Sequence, residues 1–346
     1  MARGAERRVA RVVGLLSLSL ASGCTWGVTR GTLTPAELVE RVPEGKLTCV
    51  AHPPTGPRVR RVLMVGIDGL RPDALEAAAT PNLDRLRAAG WYSLEALGED
   101  VSKSGPNWAS LFTGVHRARH GVDSNRFLGH RLAQHPDLFA RVEAADPGRV
   151  TALVGSWPQL HYFGRAADLR VYAPFESCQD RCAEATAVAL LSRTNVDVLF
   201  VYLQSVDEAG HAHGFGPEVP EYQRAIEAVD GRVGAILGAL EGRCSLADED
   251  WLVVVTSDHG GGVVSPREHG DLVPEERVVP FILARMSGEG LAASGHSQVE
   301  NILRAPPRLV DVLPTVLTHL GLPVRAWAEV DGAPIEVPQA RGGTSR

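Results

Sequence analysis

The chain predicts an α/β fold, a doubly wound and mostly parallel sheet with helices on both faces. Three observations predict it. Short runs rich in Val, Ile and Leu recur at about 61–67, 196–203 and 251–257, and such runs read as strands buried on both faces. Amphipathic helical stretches alternate with them. Each run also leads into a carboxylate: Asp68 ends RVLMVGID, Asp207 follows VDVLFVYLQSV, and Asp258 ends WLVVVTSD. Ligands of open α/β sheets gather at the carboxyl ends of strands, so three strand ends deliver acidic side chains to one rim. His211 and His259 follow two of them closely. Oxygen and imidazole donors of this kind suit divalent transition metals, zinc first.

Taken in order, the chain opens with Arg3, Arg7, Arg8 and Arg11, then an apolar stretch from Val12 to Ala21, then Ser22-Gly23-Cys24. A basic start, a short apolar core and small residues read as a secretory leader. The core is too short to span a bilayer as a helix. Cys24 resembles the lipidated cysteine of a bacterial lipobox, with Ala21 where Leu is usual. The division read along the chain is a leader over 1–24, a tether over 25–58, a folded domain over 59–335 and a polar tail over 336–346. The first strand is about 61–67. A helix follows at 80–89, with Thr80 to cap it, Pro81 in its first turn and Gly90 to stop it. A second helix opens at Pro106 and runs to 113. Strands come at 151–156 and 196–203. From Pro220 to Leu240, Tyr222, Ile226, Val229, Val233, Ile236 and Leu240 step by three and four, one helix face packed on the sheet. Strands at 251–257 and 279–284 precede a last helix at 308–320, bent at Pro314.

The net charge of -6, from 35 Lys and Arg against 41 Asp and Glu, shows no basic stripe and excludes an evident nucleic-acid surface. Export would place Cys49, Cys178, Cys182 and Cys244 in an oxidising compartment, where disulfides form. Cys178 and Cys182 are the local candidate pair, which leaves Cys49 with Cys244; four cysteines allow three pairings.

Asp207 and His211 are four apart with Gly210 between them, so a turn after the strand lets both grip one ion. Asp258 and His259 are adjacent, and neighbours on a regular strand point to opposite faces. Both reach one ion only if the strand ends there, and the glycines at 260–262 permit the turn. His269 is one more candidate ligand. Ser104 precedes Pro106-Asn107-Trp108 at a helix mouth, where free N–H groups favour an anion such as phosphate. Its hydroxyl becomes a nucleophile only beside a base or metal; alone, it reads as a turn residue.

The ordered motifs resemble the alkaline phosphatase superfamily, closest to its nucleotide pyrophosphatase/phosphodiesterase-like branch. The resemblance runs from about 61 to 335. It rests on Ile67-Asp68-Gly69-Leu70-Arg71-Pro72-Asp73, Thr80-Pro81-Asn82-Leu83, Lys103-Ser104-Gly105-Pro106-Asn107, Thr113-Gly114 and His120-Gly121-Val122, then Asp207-x-x-Gly-His211, Ser257-Asp258-His259-Gly260, and His269-Gly270 ahead of Val279-Pro280. It implies two Zn2+ ions. Asp207, His211 and His269 would hold one; Asp68, Asp258 and His259 would hold the other, which also contacts Ser104. His296 and His319 are alternatives to His269. Asn125 matches the asparagine that contacts a phosphoryl oxygen in phosphodiesterase members. Three departures matter. The branch usually has threonine where this chain has Ser104, the phosphatases proper carry an arginine close behind their serine, and sulfatases need an arginine where Trp108 stands.

The expected protein is an exported, lipid-anchored enzyme of the periplasm or cell envelope. It would hydrolyse a small-molecule phosphodiester through phospho-Ser104. A phosphomonoesterase or a phosphoryl-headgroup transferase of the same fold is the enzymatic alternative, and a non-catalytic envelope-binding lipoprotein is the alternative of another class. Trp91, Trp108, Trp157, Tyr162 and Phe163 either stack on the substrate or pack the rim.

Overall fold

A computed structural model of the protein describes residues 12–15, 56–172, 178–292, 306–323 and 329–335. Cys24, where the sequence reading expects leader cleavage, most of the expected tether, Cys49, His296 and the residues beyond 335 lie outside the described residues. Among the described residues, nine strands form one sheet. They are β1 (Val12–Leu15), β2 (Val59–Ile67), β3 (Trp91–Leu97), β4 (Thr151–Gly155), β5 (Leu169–Tyr172), β6 (Val198–Leu203), β7 (Glu249–Thr256), β8 (Val278–Ser287) and β9 (Gly290–Leu291). Their order is β1-β5-β4-β6-β2-β7-β8-β3, with β9 beside β8. The pairings from β1 to β7 are parallel, and β8 runs antiparallel to β7, β3 and β9. The start of the apolar stretch at 12–21 thus pairs with β5 at one edge.

The helices are α1 (Pro72–Ala77), α2 (Pro81–Ala89), α3 (Ser104–Thr113), α4 (Arg117–His120), α5 (Leu138–Ala145), α6 (Gln179–Arg193), α7 (Ser205–His213), α8 (Pro220–Glu241), α9 (Pro274–Arg277) and α10 (Val312–His319). Successive residues of the central strands face opposite sides of the sheet, as the pleat requires. Leu63, Val65, Val201, Val253 and Val255 pack under α2, α6 and α8. Val62, Met64, Phe200, Leu252 and Val254 pack under α3, α5 and α10. Both faces are covered, which explains the unbroken apolar runs of β2, β6 and β7. The expected doubly wound, mostly parallel fold is therefore the observed one.

Several local expectations change. Thr80 stands at the start of α2 but makes no capping bond. The carboxylate of Asp230, buried on α8, caps it instead, accepting from Asn82 N at 3.2 Å and Leu83 N at 2.8 Å. The last helix does not bend at Pro314. A 3-10 turn at Leu309–Asp311 leads into α10, so Pro314 falls in the first turn, where a missing N–H costs nothing. The segment 91–97, to which the sequence reading assigns no element, is strand β3. Cys178 and Cys182 form a disulfide. Cys244 is also disulfide-bonded.

Candidate active site

The strands β6, β2 and β7 are neighbours and run in the same direction. Their carboxyl ends deliver Asp207, Asp68 and Asp258 to one rim. Asp68 follows Ile67 at once and its N–H bonds Leu203 O at 2.9 Å, so the strand pairing itself fixes it. Tyr202 O–H donates to Asp68 Oδ2, and Trp108 Nε1–H approaches the same oxygen at 3.5 Å. Gly69 N–H donates to Asp258 Oδ1 at 3.2 Å. Gly69 has φ +69°, and a Cβ there would stand 2.8 Å from the Cβ of Asp207. Only glycine lets the Asp68 turn approach α7 this closely.

Asp207 and His211 lie on helix α7, where the sequence suggested a turn. The spacing of four places them one above the other on one helix face. His211 Nε2 is 3.5 Å from Asp207 Oδ2, and His269 Nε2 is 3.6 Å from Asp207 Oδ1. His259 Nε2 is 3.3 Å from both Asp68 Oδ1 and Asp258 Oδ2. The rings of His259 and His269 stack at 3.8 Å. Donor atoms of Asp68, Asp258 and His259 lie within 4.8 Å of one another, and so do those of Asp207, His259 and His269.

The proton positions explain what such a cluster requires. His259 Nδ1 bonds Gly260 O at 2.8 Å, His269 Nδ1 bonds Ser102 O at 2.5 Å, and His211 Nδ1 bonds Arg267 O at 2.8 Å. A carbonyl only accepts, so each Nδ1 carries the proton and each neutral ring presents an Nε2 lone pair. The Nε2 atoms of His211 and His269 are 3.1 Å apart. Lone pair therefore faces lone pair. Asp68 Oδ1, Asp207 Oδ1 and Asp258 Oδ2 are buried without any hydrogen-bond donor. Buried acceptors of this number are costly unless a cation satisfies them. The residues therefore fit divalent metal ions. Burial, with mutual repulsion added, pushes the carboxyls of Asp207 and Asp258 well above the usual carboxylate range. Burial likewise raises Asp68. Burial pushes His259 and His269 down to about 3, which keeps both rings neutral and ready to ligate.

Ser104 is the first residue of α3, which begins two residues before the expected Pro106. Its Oγ–H donates to His259 Nε2 at 3.2 Å. Gly105 N–H donates to Asn125 Oδ1 at 2.7 Å, so the Asn125 amide is held beside the serine with its NH2 left for another acceptor. A Cβ on Gly105 would come within 2.9 Å of Ser124 O, so glycine is required for this approach. The loop that carries Asn125 is tied to α3. Val122 N–H donates to His120 Nδ1 at 3.0 Å, and His120 Nε2 meets Ser110 Oγ at 3.0 Å.

All eight candidate residues thus share one rim. Of the alternatives to His269, His319 lies at the other end of the sheet, its Nε2 3.1 Å from Arg61 O and Asp250 O. Among the five aromatics, Trp91, Trp108, Trp157 and Phe163 are buried packing residues. Trp108 sits edge-on to Phe200 and Tyr202, under Asp68. Tyr162 stacks on Phe127 at 4.1 Å. Sequence reasoning missed Tyr202 and Trp108 as partners of Asp68. A Tyr inside an apolar strand, one residue before its end, is the signal that could have found the first. Among the described residues, no helix is long and apolar enough to cross a membrane.

The model of the type I phosphodiesterase / nucleotide pyrophosphatase family matches residues 62–155 and 147–302. The bis(5'-adenosyl)-triphosphatase ENPP4 of Bos taurus is 26% identical over 218 residues, covering 58% of this chain and 47% of the relative. The chain spans about half the length of the curated relatives it matches. Among solved structures, murine ectonucleotide pyrophosphatase/phosphodiesterase 5 in complex with AMP superposes with a TM-score of 0.56 at 14% identity, over 79% of this chain and 97% of that one. The phosphonate monoester hydrolase of Agrobacterium radiobacter gives 0.56 at 16% identity, over 80% and 76%. Both likenesses are of fold, and the fold is alkaline phosphatase-like. With the matched segments spanning both halves of the rim, the chain belongs to the type I phosphodiesterase / nucleotide pyrophosphatase family.

Proposed function

We propose that the protein is a two-zinc phosphodiesterase that works through a covalent phospho-serine at Ser104. The observation that carries this is the position of Ser104 Oγ, 3.2 Å from His259 Nε2 and at the mouth of α3, beside two overlapping sets of metal-type donors. Asp207, His211 and His269 would hold one ion, and Asp68, Asp258 and His259 would hold the other. The fixed Nε2 lone pairs and the orphaned carboxylate oxygens support both sets. When bound, the ions supply charge neutralisation for the attacking and leaving oxygens of an in-line displacement.

The protein's own groups do the rest. Ser104 Oγ attacks phosphorus; the new P–O bond forms as the bond to the leaving oxygen breaks, and the proton lost from Ser104 ends on that oxygen, releasing an alcohol. Asn125 NH2 donates to a non-bridging phosphoryl oxygen as charge grows there. The open N–H groups at the start of α3 and its dipole favour the same anion. Water then attacks the phospho-serine, and the phosphomonoester product leaves with Ser104 restored. A diester is favoured over a monoester because no arginine stands behind Ser104 to meet a second full charge. The names of the relatives support nucleotide-type phosphate esters as the small-molecule substrate class.

Export as an envelope lipoprotein anchored at Cys24 completes the proposal. The basic and apolar start of the chain and the Cys178–Cys182 disulfide support it. Cleavage before Cys24 would remove β1 and leave β5 as the sheet edge.

The test is hydrolysis of bis-p-nitrophenyl phosphate against p-nitrophenyl phosphate by the purified protein with added zinc, with Ser104→Ala as control. The expected result is diester preference, abolished in the variant while zinc stays bound. A monoester preference would overturn the diesterase reading, and activity in the variant would overturn the nucleophile.

A further inference from the structure

The helix that carries Asp207 and His211 begins without a cap of its own. The residue before it, Gln204, has helical φ and ψ and makes no side-chain capping bond. The first N–H groups of such a helix need partners from elsewhere. They find Asp180. Its Oδ1 accepts from Gln204 N at 2.8 Å, and its Oδ2 accepts from Ser205 N at 3.0 Å and from Ser205 Oγ at 2.5 Å. Asp180 is 2% exposed, so these are buried, charge-assisted bonds to the positive end of α7.

Asp180 is itself held in an unusual way. It lies between Cys178 and Cys182, whose disulfide closes the first turn of α6. The residue between Cys178 and Asp180, Gln179, has φ +39°, a conformation that costs a non-glycine residue energy and persists only where its surroundings impose it. Gln179 Nε2 donates to Glu208 Oε1 at 3.0 Å, and Gln204 Nε2 donates to the same oxygen at 2.8 Å. Glu208 adjoins Asp207. The disulfide loop thus grips the metal-bearing helix at its first turn through two consecutive residues.

We infer that Asp180, fixed by the Cys178–Cys182 bridge, is a positioning residue that sets α7 so that Asp207 and His211 hold their ion. The inference rests on the ligand sets proposed above. It assigns the bridge a role in the site, beyond the stability that a disulfide closing so short a loop would add. Oxidation of the two thiols is then a condition for a complete site.

The test is zinc binding, titrated on the whole protein with Zn2+ alone and read by calorimetry. Wild type, Asp180→Asn and the Cys178→Ala/Cys182→Ala double variant are compared, each first shown by thermal melting to be folded. The expected result is about tenfold weaker binding of one of two ions in both variants, the scale on which groups behind a ligand act, with the other ion held as in wild type. Diesterase kcat falls in parallel while KM changes little. Equal weakening of both ions would mean a general loss of structure and would overturn the inference, as would unchanged affinities in folded variants. If the double variant does not fold, Asp180→Asn decides alone. A wild type that binds no zinc would instead sink the underlying two-ion reading, a result distinct from either.

Discussion

The missing side chain of Gly69 is what allows Asp68 and Asp207 to serve one site, since a Cβ there would stand 2.8 Å from both Cβ and Oδ1 of Asp207. Two candidate ligands, Asp68 at the end of β2 and Asp207 on α7, meet only because the residue beside Asp68 has no side chain. The Gly69→Ala protein is expected to lose ~1–3 kcal/mol of stability, from the φ of +69° and the clash together. Zinc affinity should fall with it. Urea unfolding and zinc titration check both, and an unchanged zinc affinity would show that the close approach does not matter to the ions.

Asn125 is held by its carbonyl oxygen on Gly105 N–H, with its NH2 free for a substrate oxygen. Replacing it with alanine should lower kcat on the diester by about 10²–10³-fold, the usual loss for one donor to a developing oxyanion. Zinc content should not change. Steady-state kinetics beside metal analysis separates this from a loss of the ions.

His120 joins the Asn125 loop to α3, and burial pushes it down to about 4 from 6.5. The unfolded chain therefore takes up the proton first as pH falls. The contribution of His120 to stability is full above about 6.5 and is lost as pH falls toward 4. Melting temperatures of wild type and His120→Gln, compared from pH 7 to 4, should converge at the acid end. Parallel curves would exclude His120 as an acid-labile tie.

Asp230 caps α2 from across the sheet face, with three bonds to Asn82 and Leu83. Its removal leaves buried donors unpaired. Asp230→Ala should cost ~1–3 kcal/mol in urea unfolding. Thr80→Ala, at the position where sequence reasoning places the cap, should cost much less.

What the sequence made legible follows from what it encodes locally. A strand buried on both faces must be apolar throughout, so β2, β6 and β7 stood out, and the polar residue that ends each was visible against them. Strand β3 was not visible. It lies at the edge with one side half open, and its Ser93 and Glu95 break the apolar run that marks the central strands. Helix α7 was read as a turn because Gly210 and the two alanines and two histidines around it give it no apolar stripe; its cap comes from Asp180, 24 and 25 positions before the N–H groups it accepts from. Capping across such distances leaves no periodic trace. The same holds for Tyr202 and Trp108, whose roles depend on which strand neighbours which. The direction of β8 was also hidden, since buried parallel and antiparallel strands can share one apolar pattern.

That direction has a consequence for how the rim can change over time. β7 ends and β8 begins at the same end of the sheet, because they run antiparallel. The segment between them, which bears His259 and His269, leaves and returns without crossing the thickness of the molecule. A βαβ connection has a minimum length and a helix to pack. This one needs no crossover helix and holds only the one-turn α9. It is anchored at its base by Gly260 N–H on Glu276 O, and residues inserted outside that anchor displace no strand and expose no core. Insertions here can thus reshape the rim while leaving the sheet that delivers the carboxylates undisturbed.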